Sequence, residues 1–229
     1  MNCRHRKYIE IASRELLRPS LASTKQYLEV FEVEMMDGMP KVARVDTRLY
    51  KNIVAVWFHV KGERFYLVVN VTKKPAMEAD FIWTESGNRA YLIATSDCLS
   101  HRELFELITL RPLSGWSIND LKKNRVAREK NSAIIFEPNK SEAYSLEDQL
   151  ARLLIKIEKD KQGIKALSNK ATVWIAIWRN QYVDGNFGLQ IDVPTINKLH
   201  DLGLALDIGT HVSGKPLRVD TVLADFTAG

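Results

Sequence analysis

Residues 145 to 211 read SLEDQLARLLIKIEKDKQGIKALSNKATVWIAIWRNQYVDGNFGLQIDVPTINKLHDLGLALDIGTH, and they set the fold class. Ser145 with Asp148 three residues on has the spacing of a helix cap, and Leu146, Leu150, Leu153, Leu154, Ile157, Ile164 and Leu167 then recur at helical intervals. Glu147, Arg152, Lys156, Glu158, Lys159, Lys161 and Lys165 take the other side. The spacing therefore predicts one long amphipathic helix, closed by Asn169 and Lys170, with its apolar stripe on a core. Thr172 to Trp178 is an unbroken β-favouring run and predicts a strand covered on both faces. Asp184-Gly185 accepts the positive φ of a tight hairpin turn. Phe187, Leu189 and Ile191 then alternate with Gly188 and Gln190, which predicts a returning strand. Pro194 fits a first helical turn, Ile196, Leu199 and Leu202 form a short stripe, and Gly203 supplies a left-handed stop. Leu204, Leu206 and Ile208 alternate into a last strand.

Two registers within this stretch, Ser145 to Leu154 (SLEDQLARLL) and Ile196 to Gly209 (INKLHDLGLALDIG), resemble a bacterial family catalogued as domain of unknown function 4279. The resemblance extends over roughly residues 89 to 212. It implies a small α+β domain in a bacterial cytoplasm and carries over no active-site residue.

The rest of the chain fits a helix followed by strands. Tyr8, Ile9, Ile11, Ala12, Leu16 and Leu17 share a helical face that ends before Pro19. Alternation from Tyr27 to Met35 predicts a strand, Asp37-Gly38 a turn, and Val42 with Val45 a second short strand. Ile53 to Val60 and Arg64 to Val71, joined through Lys61-Gly62-Glu63, predict a hairpin. Phe81, Ile82 and Trp83 form a brief apolar patch, and Ser86-Gly87-Asn88 marks a boundary. Beyond it, Tyr91 to Ala94 and Ala133 to Glu137 read as strands, and Ser100 with Glu103 repeats the capping spacing ahead of a helix ended by Pro112. The expected class is α+β. Residues 1–86 form a helix plus an antiparallel β-meander, residues 87–212 form a ferredoxin-like mixed sheet with helices packed on it, and residues 213–229 are a tail.

At 229 residues the chain is long enough for a full core. Its 45% apolar and 27% charged residues exclude disordered, collagenous and coiled-coil classes. The net charge is +5, spread as +3 over residues 1–88 and +2 over 89–229, so bulk charge alone argues little for nucleic acid. Cys3 and Cys98 are too few for a disulfide framework or a zinc ribbon, which fits a reducing compartment. Arg14, Glu15 and Arg18 interrupt any leader-like apolar run, and no stretch approaches the roughly 20 apolar residues of a membrane span. A cytoplasmic protein without membrane attachment is expected.

Phosphate-loop, dinucleotide-binding, zinc-protease, nucleophile-elbow and Cys-x-x-Cys motifs are absent, and no cofactor, metal or catalytic residue is assigned. The densest charge run is Lys122 to Lys130, KKNRVAREK, with five bases and one acid. Trp116 precedes it. Trp116, Lys122, Lys123, Arg125 and Arg128 are the candidate binding residues, because a basic loop beside an aromatic can hold phosphates and stack a base. Trp174 and Trp178, on one face of a central strand, suit either an RNA-binding sheet or a core beneath the long helix. His200, His211 and Asp207 could approach one another as a metal-independent catalytic group, although a histidine at a helix end also serves the helix dipole. The function expected is a non-enzymatic interaction protein of adaptor or immunity type, with a protein partner. A single-stranded nucleic-acid binder using residues 122–130 is the alternative, and an enzyme near His200 is the third. As the chain is basic, the partner expected is one with an acidic surface.

Overall fold

The computed structural model describes residues 3–111, 113–122, 126–185 and 188–217. The chain is α+β, and its contacts divide it into two units: Met1–Gly87 with Asn180–Phe187 and His211–Gly229, and Asn88–Arg179 with Gly188–Thr210. A single cut after residue 86 thus leaves out two later segments that belong with the first unit.

In the first unit, α1 (Cys3–Leu17) and α2 (Ala22–Val30) precede a two-stranded hairpin, β1 (Met35–Met36) and β2 (Met39–Pro40). Asp37 and Gly38 turn it with φ of 51° and 77°, the conformation expected of that dipeptide. Strands β3 (Val42–Tyr50), β4 (Ile53–His59), β5 (Tyr66–Thr72) and β6 (Ala79–Glu85) form an antiparallel meander in sequence order. Tyr8, Ala12 and Leu16, four residues apart on α1, pack into one core with Val54, Val56, Phe58, Leu67 and Val69. Two expectations need correction. Of the strand predicted over Tyr27 to Met35, residues 27–30 are instead the end of α2, and only an isolated bridge at Val33 and the start of β1 at Met35 are β structure. Thr24, Tyr27, Leu28 and Phe31 are the inward positions, a helical spacing that the short β-favouring alternation concealed. The Phe81-Ile82-Trp83 patch is the heart of β6, a full edge strand.

The returning segments close this unit. Tyr182 packs its ring on Phe31 and Phe65, at centroid distances of 4.8 and 5.3 Å. Its hydroxyl donates to the Lys215 carbonyl (2.8 Å), the Leu217 amide donates to Asp184 (2.7 Å), and the Ser213 hydroxyl donates to Glu63 (2.6 Å). Burial, with Asp184 beside it, pushes the Tyr182 phenol above its ordinary range. Residues 213–217, at the head of the expected tail, are therefore fastened.

The second unit is built on β7 (Gly87–Ser96), α3 (His101–Glu106), β8 (Leu113–Trp116), β9 (Ser132–Phe136), α4 (Leu146–Ile157), α5 (Lys161–Ser168), β10 (Thr172–Tyr182), α6 (Val193–Asp201) and β11 (Ala205–Ser213). The sheet order is β11-β10-β7-β9-β8. Counting β7 to β10 as first to fourth, the order 4-1-3-2 with a helix after the first and third strands is the ferredoxin-like arrangement, to which β11 adds an edge. Ala90, Leu92 and Ala94 alternate along β7 toward the helices and meet Leu150, Leu153, Leu154, Ile175 and Ile177 in one core. Trp178 lies on the other face from Ile175 and Ile177, where a Cβ on Gly209 would come within 3.0 Å of its ring.

The long helix predicted from Ser145 to Asn169 is interrupted. After a 3-10 turn at Glu158–Asp160, Asp160 leaves helical geometry (φ −131°, ψ 47°). Its buried carboxylate accepts hydrogen bonds from the Gly163 amide (3.1 Å) and the Thr109 amide, capping α5 and tying down the segment after α3. A Cβ at Gly163 would lie 2.5 Å from that carboxylate, so a side chain there would displace the capping group. The returning strand predicted over Phe187 to Ile191 is also absent where it can be described. Phe187 lies outside the described residues, and 188–191 run as coil over α4 with the Gln190 amide donating to Glu147 (3.2 Å).

Candidate functional site

The run Lys122 to Lys130 is flanked by ladder bonds that extend the β8–β9 hairpin. The Asn119 amide donates to the Glu129 carbonyl (2.9 Å), the Glu129 amide to the Asp120 carbonyl (2.8 Å), and the Lys122 amide to the Ala127 carbonyl (2.8 Å). Leu121 and Arg128 form an antiparallel bridge, and Asn119 takes a left-handed φ of 70° that bends the strand. At its root the Ile118 amide donates to the Ser132 hydroxyl (2.9 Å) and the Ser117 amide to Asp120 (2.7 Å). Residues 117–122 and 126–130 thus form an exposed arm with its own backbone hydrogen bonds.

The arm places the candidate residues unequally. Trp116 sits half-buried at the foot of the arm, paired with Ala133 across the ladder, and its indole nitrogen is sealed without a partner. It is not a free stacking platform. The Lys122 ammonium faces Glu129 at 3.6 Å, and the Arg128 guanidinium donates to the Asn119 carbonyl (2.7 Å). Lys123 and Arg125 lie outside the described residues. Within and just before the charge run lies apolar surface: Ile118, Leu121 and Val126 are 39%, 57% and 87% exposed. Val126 within the run and Leu121 just before it were the available signal.

A second feature was missed. Where α4 and α6 begin, a cleft of about 440 Å³ opens, floored by Leu146, Leu150 and Ile191 and rimmed by Glu147, Asp148 and Asp192, with no basic residue lining it. Both helix starts are capped, Ser145 accepting from the Asp148 amide (3.1 Å) and Asp192 from the Thr195 amide (2.9 Å). Hydrogen bonds from Thr195 hold the Asp192 carboxyl below its usual range. Leu189, Val193 and Ile196 stand exposed beside it. The acids were legible only as first-turn residues of helices; their meeting depends on how the two helices pack.

The remaining candidates are dispersed. His200 projects from the end of α6 with its side chain 89% exposed, 3.6 Å from Asp201. Asp207 alternates with Leu206 and Ile208, which pack on the core, and so lies on the sheet face away from α6. His211 is exposed and falls in a segment of the first unit. Among the described residues no three His, Cys, Asp or Glu side chains are grouped to hold a metal. Among the same residues no helix is long and apolar enough to cross a membrane, which says nothing of a β-barrel.

Residues 84–213 match the family described as domain of unknown function DUF4279. This chain belongs to that family. The matched DUF4279 segment runs from the end of β6 to the end of β11 and includes both the arm and the cleft. It exceeds by only a few residues at its start, and one at its end, the extent expected from the SLEDQLARLL and INKLHDLGLALDIG registers. Neither a curated protein nor a solved structure matches the chain.

Proposed function

We propose that this chain is a non-enzymatic interaction protein whose DUF4279 domain docks an acidic protein surface through residues 117–122 and 126–130. The observation that carries the reading is the exposure of Ile118, Leu121 and Val126 on a hydrogen-bonded arm among Lys122, Arg128 and Lys130. Exposed aliphatic side chains on segments that carry Lys122, Arg128 and Lys130 gain from burying carbon against protein, while these charges favour a partner of opposite sign and speed its encounter. A phosphate backbone would leave the three aliphatic side chains in water.

A photo-crosslinking side chain in place of Val126, in the full chain in its native host, tests this. The expected adduct is a protein, joined near Asp or Glu residues and resistant to nuclease. A nuclease-sensitive adduct, or none, would overturn the proposal. Single-stranded RNA should bind the purified chain no more tightly than about 10⁻⁶ M at physiological salt, the range of non-specific association. Submicromolar binding lost on Lys122→Glu would put a nucleic acid in the partner's place.

A further inference from the structure

The arm and the cleft are complementary in both charge and polarity. The arm offers Leu121 and Val126 with Lys122 and Lys130 on the same chain segments; the cleft offers the accessible Ala151 and Ile191 over buried Leu146 and Leu150, with Glu147, Asp148 and Asp192 at the rim. They lie at opposite ends of one sheet. The arm leaves from the residue at which β9 begins. In contrast, Gln149 of α4 donates to the Asn88 carbonyl (2.8 Å) at the start of β7, and antiparallel pairing of Leu92 with Phe136 sets that start beside the end of β9. The arm therefore points away from the cleft of its own copy.

We infer that the acidic partner is a second copy of this chain, whose α4–α6 cleft receives the arm. The inference rests on reading residues 117–122 and 126–130 as a docking arm. Leu121 and Val126 enter against Ala151 and Ile191, while Lys122 and Lys130 meet the rim carboxylates. Because the two surfaces differ, the contact is head-to-tail, and copies add one after another unless a ring closes.

Sedimentation velocity of the full chain tests it. Mass should rise above that of one chain between about 10 and 300 µM, the behaviour of a small transient interface, and the rise should shrink at high salt. Two variants divide the contact: Lys122→Glu/Lys130→Glu in the arm, which spares the Arg128 bond to Asn119, and Asp148→Lys/Ala151→Lys in the cleft. Each alone should associate at least tenfold more weakly, and an equimolar mixture should regain association, because each protein supplies what the other lacks. Circular dichroism checks folding, with Lys130→Glu and Ala151→Lys alone as milder replacements. A wild-type chain that stays single through this range, variants that still associate, or a mixture that does not would overturn the inference. The Val126 crosslink separates the two failures. An adduct with a different acidic protein removes only the self-partner, whereas no protein adduct removes the arm as a docking element.

Discussion

Carboxylates gather at helix starts in both units, yet they do different work. At the start of α2, Glu15 is only 4% exposed and accepts hydrogen bonds from the Ser20 amide (3.0 Å), the Leu21 amide (3.0 Å) and the Ser20 hydroxyl (2.5 Å). Burial pushes its carboxyl up, but these bonds outweigh it and hold the group below its usual range. At the starts of α4 and α6, Glu147, Asp148 and Asp192 remain in water around a cleft. The first carboxylate is committed to a chain corner, and the others keep most of their acceptor capacity. Position at a helix N-terminus does not separate a structurally committed acid from one left accessible; burial and completed hydrogen bonding do.

The contrast can be broken from its largest expected effect downward. Leu150, at the floor of the cleft and 1% exposed, belongs to the core, so Leu150→Ala should cost about 2 to 5 kcal/mol by denaturant unfolding. A negligible loss would mean that the cleft floor is not part of the core. Glu15→Ala leaves the Ser20 and Leu21 amides without their acceptor and should cost about 1 to 3 kcal/mol. As the folded carboxyl titrates below the unfolded value of about 4.3, its contribution is present above that pH and disappears as pH falls through the folded value. Glu15→Gln should accordingly flatten the acid limb of the stability curve, and an unchanged limb would sink the assignment.

How much of this was legible in the sequence follows from what each signal measures. Periodicity found α1, the hairpin of β4 and β5, the Ser145 and Ser100 caps and the stop at Gly203, because each is fixed by residues close in the chain. It missed the break at Asp160, where Ile157, Ile164 and Leu167 keep one stripe across the interruption and only the three-residue spacing of Asp160 and Gly163 marks a new cap. It misread α2, whose aromatic and β-branched residues suit either structure over so short a span. At the site, the five bases of residues 122–130 were visible but drew attention from Leu121 and Val126, and the cleft could not be seen because Asp192 lies over forty residues from Glu147 and Asp148.

Smaller effects sharpen the comparison. Asp192→Ala removes the cap on the Thr195 amide and should lower the melting temperature slightly. Asp148→Asn should leave the melting temperature unchanged while weakening association, an effect that a purely structural carboxylate could not produce. If Asp148→Asn instead destabilises as Glu15→Ala does, the division between the two helix starts fails.

The most direct measurement is the yield of the Val126 crosslink with and without Lys122→Glu/Lys130→Glu in the same folded chain. A drop of about tenfold, equivalent to about 1.4 kcal/mol, is expected if apolar contact and positive charge act together on an acidic protein. An undiminished protein adduct after charge reversal would contradict charge-guided docking through the arm.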